Sequence, residues 1–431
     1  MMRIGSIIGT FGAALVLAAL LHACGSSSSA VQRDNLAYLY GKGPTNLRLE
    51  ARVYHEDAEH TVIFFKLHTE DLLYKSDGGG APYKAQVRIA YGTFAEKDPR
   101  NLLDSASTMV NDVATQQGVN EELIGRMELQ RDPSRSFLLK VVARDMNRDN
   151  ESEVTLRLEA DPAAGSQYFM PIDPANGLPL FADQIHPGRP VAMRTDRWKG
   201  RTLRAARFPV DASLPPPVFS GDRLERKDPV ADSSFTVQVD TTGRFTVPTD
   251  HIGLFRFTPV DADSTNGCSV IILDQSFPYV DRAIDMVKPL RYITSTQEYD
   301  RIAKSDNVRK AVERFWLDAT GDRERAREAI RIFYGRVENA NRHFNAAMEG
   351  WRTDRGLVHI IFGTPTTIYR NANGETWTYG EENNIMSLTF NFIRRRSDLT
   401  DNDLILQRDP VLKGAWYRNV ESWRNGRVYQ N

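Results

Sequence analysis

Leu47, Leu49, Ala51 and Val53 alternate with Arg48, Glu50, Arg52 and Tyr54. This is the period-two pattern of a strand with one buried face. A polar turn over His55–His60 separates it from a second apolar run at 62–67, and further strands are predicted at 85–91, 136–143 and 154–158. Gly78-Gly79-Gly80 and Asp132-Pro133 mark loops between them. Several short strands spaced by turn signals predict a β-sandwich of the immunoglobulin-like kind over residues 35–165. Residues 166–290 read as a second β module. It carries Pro215-Pro216-Pro217, strands at 235–239, 244–247 and 253–259, and Thr242-Gly243 as a hairpin turn.

From about residue 295 the period becomes helical. Thr294 with Gln297, or Ser295 with Glu298, can form a capping box. Val308, Ala311, Val312, Phe315, Trp316 and Ala319 lie on one face of a helix. Gly321-Asp322 breaks the chain, and Ala326, Ile330, Phe333, Val337, Ala340 and Phe344 stripe a second helix. Strands are predicted again at 358–362 and 376–379, and in the alternation of Met386, Leu388, Phe390 and Phe392. A helical hairpin followed by a three-strand antiparallel meander makes residues 291–431 an α+β domain. Trp416, Val420 and Trp423 predict a final short helix docked on it. The fold class is therefore multidomain, two β-sandwich-like modules followed by a C-terminal α+β domain.

Gly350-Trp351-Arg352-Thr353-Asp354-Arg355-Gly356 joins the second helix to the meander. Gly350 suits a left-handed stop after a helix, and Trp351 is large enough to plug a gap between helix and sheet. Thr353 and Asp354 bond readily to nearby backbone, and Arg355-Gly356 completes a turn. Gly363-Thr364-Pro365 turns out of the next element, and Trp377-Thr378-Tyr379 lies on its neighbour. These residues resemble the GWxTD domain family, named for the string that stands here as Gly350 to Asp354. The likeness runs through Arg355, Gly356, Gly363, Pro365, Trp377 and Tyr379, over roughly 280–395. The resemblance implies a lipoprotein signal and upstream β modules, and it implies no catalytic residues. A structural role is expected for Asp354 and Arg355, one capping a turn and the other solvating it.

Residues 1–23 have a basic start and an apolar stretch, ending Leu21-His22-Ala23 before Cys24. This resembles the bacterial lipoprotein signal, which implies an acylated Cys24 as the mature N-terminus. Residues 24–34 then form a Ser-rich tether. Gly25 in place of aspartate, with no acid before Asp34, points to the periplasmic face of the outer membrane.

Lys+Arg 55 against Asp+Glu 56 leaves a net charge of −1, which excludes a nucleic-acid binder working by bulk charge. Two cysteines, Cys24 and Cys268, exclude a disulfide framework, and Cys268 reads as a small core residue beside a strand. His55 to His60 is one residue too long for a zinc-protease pair and reads as a hairpin loop. Asp145-x-Asn147-x-Asp149 lacks the remainder of a calcium loop and reads as a turn. Arg394-Arg395-Arg396 reads as charged surface. No nucleotide, hydrolase or redox motif is present, so no cofactor, metal or catalytic residue is assigned. The expectation is a non-catalytic outer-membrane lipoprotein that binds other envelope proteins as a scaffold in assembly or secretion. Its alternatives are a glycan- or small-ligand-binding lipoprotein using aromatics such as Tyr168 and Phe169, and a cell-wall hydrolase using carboxylates such as Asp354 or Glu375.

Overall fold

The computed structural model describes residue 37 and residues 47–427, apart from 77, 97, 117–119, 149, 162, 183, 222–226, 262–265, 372 and 382–383. The signal sequence, Cys24 and the Ser-rich tether lie outside the described residues. The described chain is mostly antiparallel β-sheet, with its α-helices towards the C-terminus.

The first seven strands make two sheets. Leu49–His55 (β1), His60–His68 (β2) and Glu122–Gln130 (β5) pair in the order β1-β2-β5. Tyr83–Ala95 (β3), Asp98–Ala114 (β4), Phe137–Asp145 (β6) and Asn150–Leu158 (β7) pair in the order β4-β3-β6-β7. Alternate residues of both sheets, among them Leu49, Ile63, Phe65, Ile89, Leu139 and Val141, share one core. The predicted His55–His60 hairpin is present, with Val53 opposite Ile63. Two of these strands, β4 and β5, are not among those expected. β4 exposes side chains on both faces at most positions, and β5 buries only Met127 and Leu129. β4 lacks the apolar alternation that marks a half-buried strand, and in β5 it is confined to the second half, where Met127 and Leu129 stand between Arg126, Glu128 and Gln130.

The next eight strands are Met170–Ile172 (β8), Gln184–Ile185 (β9), Ala192–Arg194 (β10), Thr202–Phe208 (β11), Ser233–Gln238 (β12), Arg244–Thr246 (β13), Gly253–Pro259 (β14) and Cys268–Ile272 (β15). They form the sheets β13-β10-β8 and β12-β11-β14-β15-β9 around Phe169, Met193, Phe245, Phe257 and Ile272. Thr242-Gly243 turns as predicted. Gly243 has φ +82°, and a Cβ there would meet the Thr195 carbonyl oxygen at 2.7 Å. Cys268 lies in this core, where burial pushes its thiol up to about 12.

Among the described residues the C-terminal part holds six α-helices: Ala283–Leu290 (α1), Thr296–Ala303 (α2), Val308–Thr320 (α3), Arg323–His343 (α4), Asp354–Phe362 (α5) and Lys413–Arg424 (α6). Ser295 and Glu298 close the predicted capping box on α2, and Gly321 at φ +66° ends α3. Thr367–Asn371 (β16), Gly374–Tyr379 (β17), Leu388–Arg394 (β18) and Leu404–Leu406 (β19) form a four-strand meander, one strand more than expected. The predicted strand at 358–362 is instead the end of α5. Every residue of α5 is buried, so its apolar run has no helical stripe. Periodicity cannot separate such a helix from a buried strand. α1, which precedes the expected boundary at 290, contributes Val287 and Leu290 to the C-terminal core.

Apolar seams join these cores. Tyr54 packs with Met170, Ile172 and Ala192. Leu254, Ile271 and Phe277 pack with Ala347 and Leu399.

Candidate functional site

α4 runs into a 3-10 turn at Gly350–Arg352, and α5 starts immediately after it. Gly350 is no left-handed helix stop. It opens this turn pressed against α4, where a Cβ would lie 2.0 Å from the Ala340 carbonyl oxygen. Gly356 sits in the first turn of α5 and is likewise no loop glycine, since a Cβ there would meet the Gly350 carbonyl oxygen at 2.1 Å. The two glycines let three backbone segments touch.

Trp351 fills the gap predicted for it and is 3% exposed. Its Nε1 donates to Glu349 (3.1 Å), its backbone N–H donates to Asn341 Oδ1 (3.2 Å), and its carbonyl accepts from the Tyr292 hydroxyl (2.9 Å). The Arg352 guanidinium lies 4.2 Å from its ring centroid. Thr353 is the N-cap of α5. Its hydroxyl accepts from Gly356 N–H (3.1 Å) and donates to Gly350 O (2.8 Å).

Asp354 and Arg355 are both buried, which corrects the expectation of a turn cap and a solvated arginine. The Asp354 carboxylate pairs with Arg408 and accepts from Leu406 N–H at 2.8 Å, tying α5 to β19. Its position in the first turn of α5 also favours a negative charge. Arg355 reaches Glu375 of β17 (3.2 Å) and donates to the Asn402 carbonyl (2.7 Å), with Phe344 under its guanidinium. Arg370 (2.8 Å) and the Trp377 indole N–H (2.9 Å) also bond to Glu375. Burial alone pushes the Glu375 carboxyl up, but Arg355 and Arg370 outweigh it and hold the group below its ordinary range. Trp377 therefore does more than pack: it anchors the carboxylate that Arg355 needs.

At the other end of α5, Gly363 has φ +85°. Arg336 of α4 donates to the last helical carbonyls, Ile360 (3.1 Å) and Ile361 (3.4 Å), where a positive charge suits the helix dipole. The Tyr379 hydroxyl donates to Gly363 O (2.8 Å), and Pro365 is buried beyond it. Gly350, Trp351, Thr353, Asp354, Arg355, Gly356, Gly363, Trp377 and Tyr379 are thus parts of one connected framework around α5. The partners Arg336, Asn341, Arg370, Asn402 and Arg408 carried no signal of their own, because each meets the motif only through the tertiary fold.

Beside Trp351 lies a groove of about 180 Å³, lined among others by Phe277, Val280, Asp285, Lys288 and Asn341. Its charges are satisfied internally: Asp285 pairs with Lys288 (3.0 Å) and Arg282 (2.6 Å). Tyr168 and Phe169 are buried in the second β core, so neither offers a face to a sugar ring. His55 is buried and bonded to Thr61 (2.8 Å) and Gln167 (2.9 Å), while Asp57 and His60 pair within the exposed loop. Asp145 binds Leu73 N–H (2.9 Å) and Asn147 N–H (2.9 Å) in a turn; Asp149 is outside the described residues. Among the described residues no group of acids, histidines or cysteines has a metal-binding arrangement. Arg395 is paired with Asp403 (2.6 Å) and Asp228 (2.7 Å).

In the comparison with protein families, residues 253–425 match the model of the GWxTD domain. The chain carries a GWxTD domain. A search of curated proteins finds no match. Solved structures with local likeness include a beta-glucuronidase of Bacteroides uniformis (10% identity, 32% of this chain and 16% of that one, TM-score 0.17). Others are the BSP domain of a biofilm associated protein (10%, 56% and 55%, 0.16) and the major pilin subunit of Bacillus cereus (10%, 53% and 68%, 0.16). The chain spans less than a fifth of the glucuronidase's length.

The GWxTD domain also buries a histidine. His359 of α5 is held neutral by burial, by Arg336 and by His343, which bring it down to about 3; burial and Arg131 bring His55 down to about 4. Unfolded histidine takes up a proton near pH 6.5. The folded form does not, so stability is complete above that pH and falls as the pH drops towards 4 and then 3. Each group contributes a slope of up to about 1.4 kcal/mol per pH unit. Urea midpoints between pH 7 and 4 are expected to decline, and His359→Gln is expected to flatten that decline.

Proposed function

We propose that the protein is a non-catalytic, lipid-anchored lipoprotein of the outer membrane that binds other envelope proteins as a scaffold in assembly or secretion. In this reading two immunoglobulin-like β modules precede the GWxTD domain in the chain, and Cys24 is acylated. The observation that carries it is the division of labour in the GWxTD domain. Asp354, Arg355 and Glu375 are spent inside the framework, whereas the β17–β18 hairpin tip holds Ile385 97% and Met386 83% exposed. Large side chains held that far out of a folded core suit anchors for a partner's pocket. The same burial disfavours the hydrolase alternative built on Asp354 or Glu375 and the glycan alternative built on Tyr168 and Phe169.

A crosslinking pull-down from native membranes tests the proposal. Discrete envelope proteins are expected with the parent protein. Their yield is expected to fall at least about tenfold, the loss of one hot-spot anchor, with Ile385→Asp/Met386→Asp and with Cys24→Ala. Equal yields from all three would overturn it.

A further inference from the structure

Ala37 is the first described residue, and it is not seated in the β module that follows it in the chain. It is 9% exposed and belongs to the C-terminal core with Leu290, Trp316, Phe333 and Trp423. β1 begins only at Leu49. The 13 residue-to-residue steps from Cys24 to Ala37 reach at most about 45 Å fully extended. A tether running free to Leu49 has about twice that contour, roughly 85 Å, and presents the first β module to the lipid.

We infer that the C-terminal α+β domain, and not the first β module, is the part of the molecule held against the bilayer, strapped there through Ala37. This rests on the lipid anchor at Cys24 proposed above. The domain's surface has chemistry suited to headgroups. Val411 and Tyr417 are exposed beside Lys413 and Arg418, on and just before α6. An amphipathic aromatic with basic neighbours favours an anionic interface. The order of parts in space then reverses their order in the chain: the GWxTD domain is proximal, and the β modules are carried by it.

Energy transfer tests this in the full-length lipidated protein, reconstituted in phosphatidylethanolamine/phosphatidylglycerol vesicles with a headgroup-labelled acceptor. Donor dyes are placed at Glu421→Cys on α6 and, separately, at Val113→Cys on β4. Flotation of the vesicles reports the anchor independently. Transfer is expected to be stronger from 421 than from 113. It is expected to fall when Ala37→Arg unseats the strap, and when a Gly/Ser insert of about ten residues after Ser29 lengthens the tether upstream of Ala37. If the protein floats but 113 transfers as strongly as 421, or the insert leaves transfer from 421 unchanged, the inference is overturned while the anchor stands. If the protein does not float, the Cys24 reading fails and the inference falls with it.

Discussion

Gly356→Ala is expected to unfold the C-terminal domain, reversing the usual effect of alanine in a helix. Alanine normally favours a helix over glycine by about 1 kcal/mol. Here the added methyl meets the Gly350 carbonyl oxygen at 2.1 Å and Trp351 Cα at 2.9 Å, both backbone atoms that cannot swing aside. Relief requires α5 to move off the 3-10 turn, which breaks the Thr353 cap, the Asp354–Arg408 pair and the Trp351 seat together. A loss of at least about 4 kcal/mol is expected, the range reserved for severe core lesions. Gly350→Ala is expected to match it, because its Cβ meets the Ala340 oxygen at 2.0 Å. Urea unfolding followed by tryptophan fluorescence reads this directly: of the six tryptophans, all but Trp198 lie in this domain. An unchanged midpoint in either variant contradicts the close packing described.

The second large effect is at the buried ion pair. Arg355→Met leaves Glu375 with Arg370 and the Trp377 N–H but without its innermost cation. Glu375→Leu leaves Arg355 buried over Phe344 with Asn402 as its hydrogen-bond partner. Breaking a buried pair from one side costs about 3–5 kcal/mol, mostly the penalty of the stranded charge. Arg355→Met/Glu375→Leu removes both charges, and Arg370 at the sheet edge is partly exposed and can turn to water. The double variant is therefore expected to be more stable than the sum of the single losses by about 1–3 kcal/mol, with little dependence on salt. Strict additivity in the cycle would mean that Arg355 and Glu375 do not interact.

What the sequence made legible follows from where each signal resides. α2 announced itself through its capping box and the α3–α4 hairpin through apolar stripes and local caps: Ser295 for the first, and Gly321 and Asp322 for the second, act within a few residues of where they stand. α5 hid because burial on every side erased its stripe, although Thr353 before it and Gly363 after it were both present as caps. β4 hid for the opposite reason, with exposure on both faces. The motif residues were visible as a string, but their jobs were not. Asp354 meets Arg408 across 54 residues and Arg355 meets Glu375 across 20, so only the fold could turn a supposed turn cap and a supposed solvated arginine into buried ion pairs. The two glycines were misjudged because close approach and left-handed backbone leave the same letter in a sequence.

The central claim is that the GWxTD string builds the domain and the surface does the binding. Asp354→Asn, carried in the lipidated protein, tests it most directly when stability and partner crosslinking are measured on one preparation. The account predicts a lowered urea midpoint, from loss of the Arg408 pair, with parent-level crosslinking wherever the variant is still folded. A fully folded Asp354→Asn protein that has lost its crosslinked partners would contradict it and make the motif itself the site of recognition.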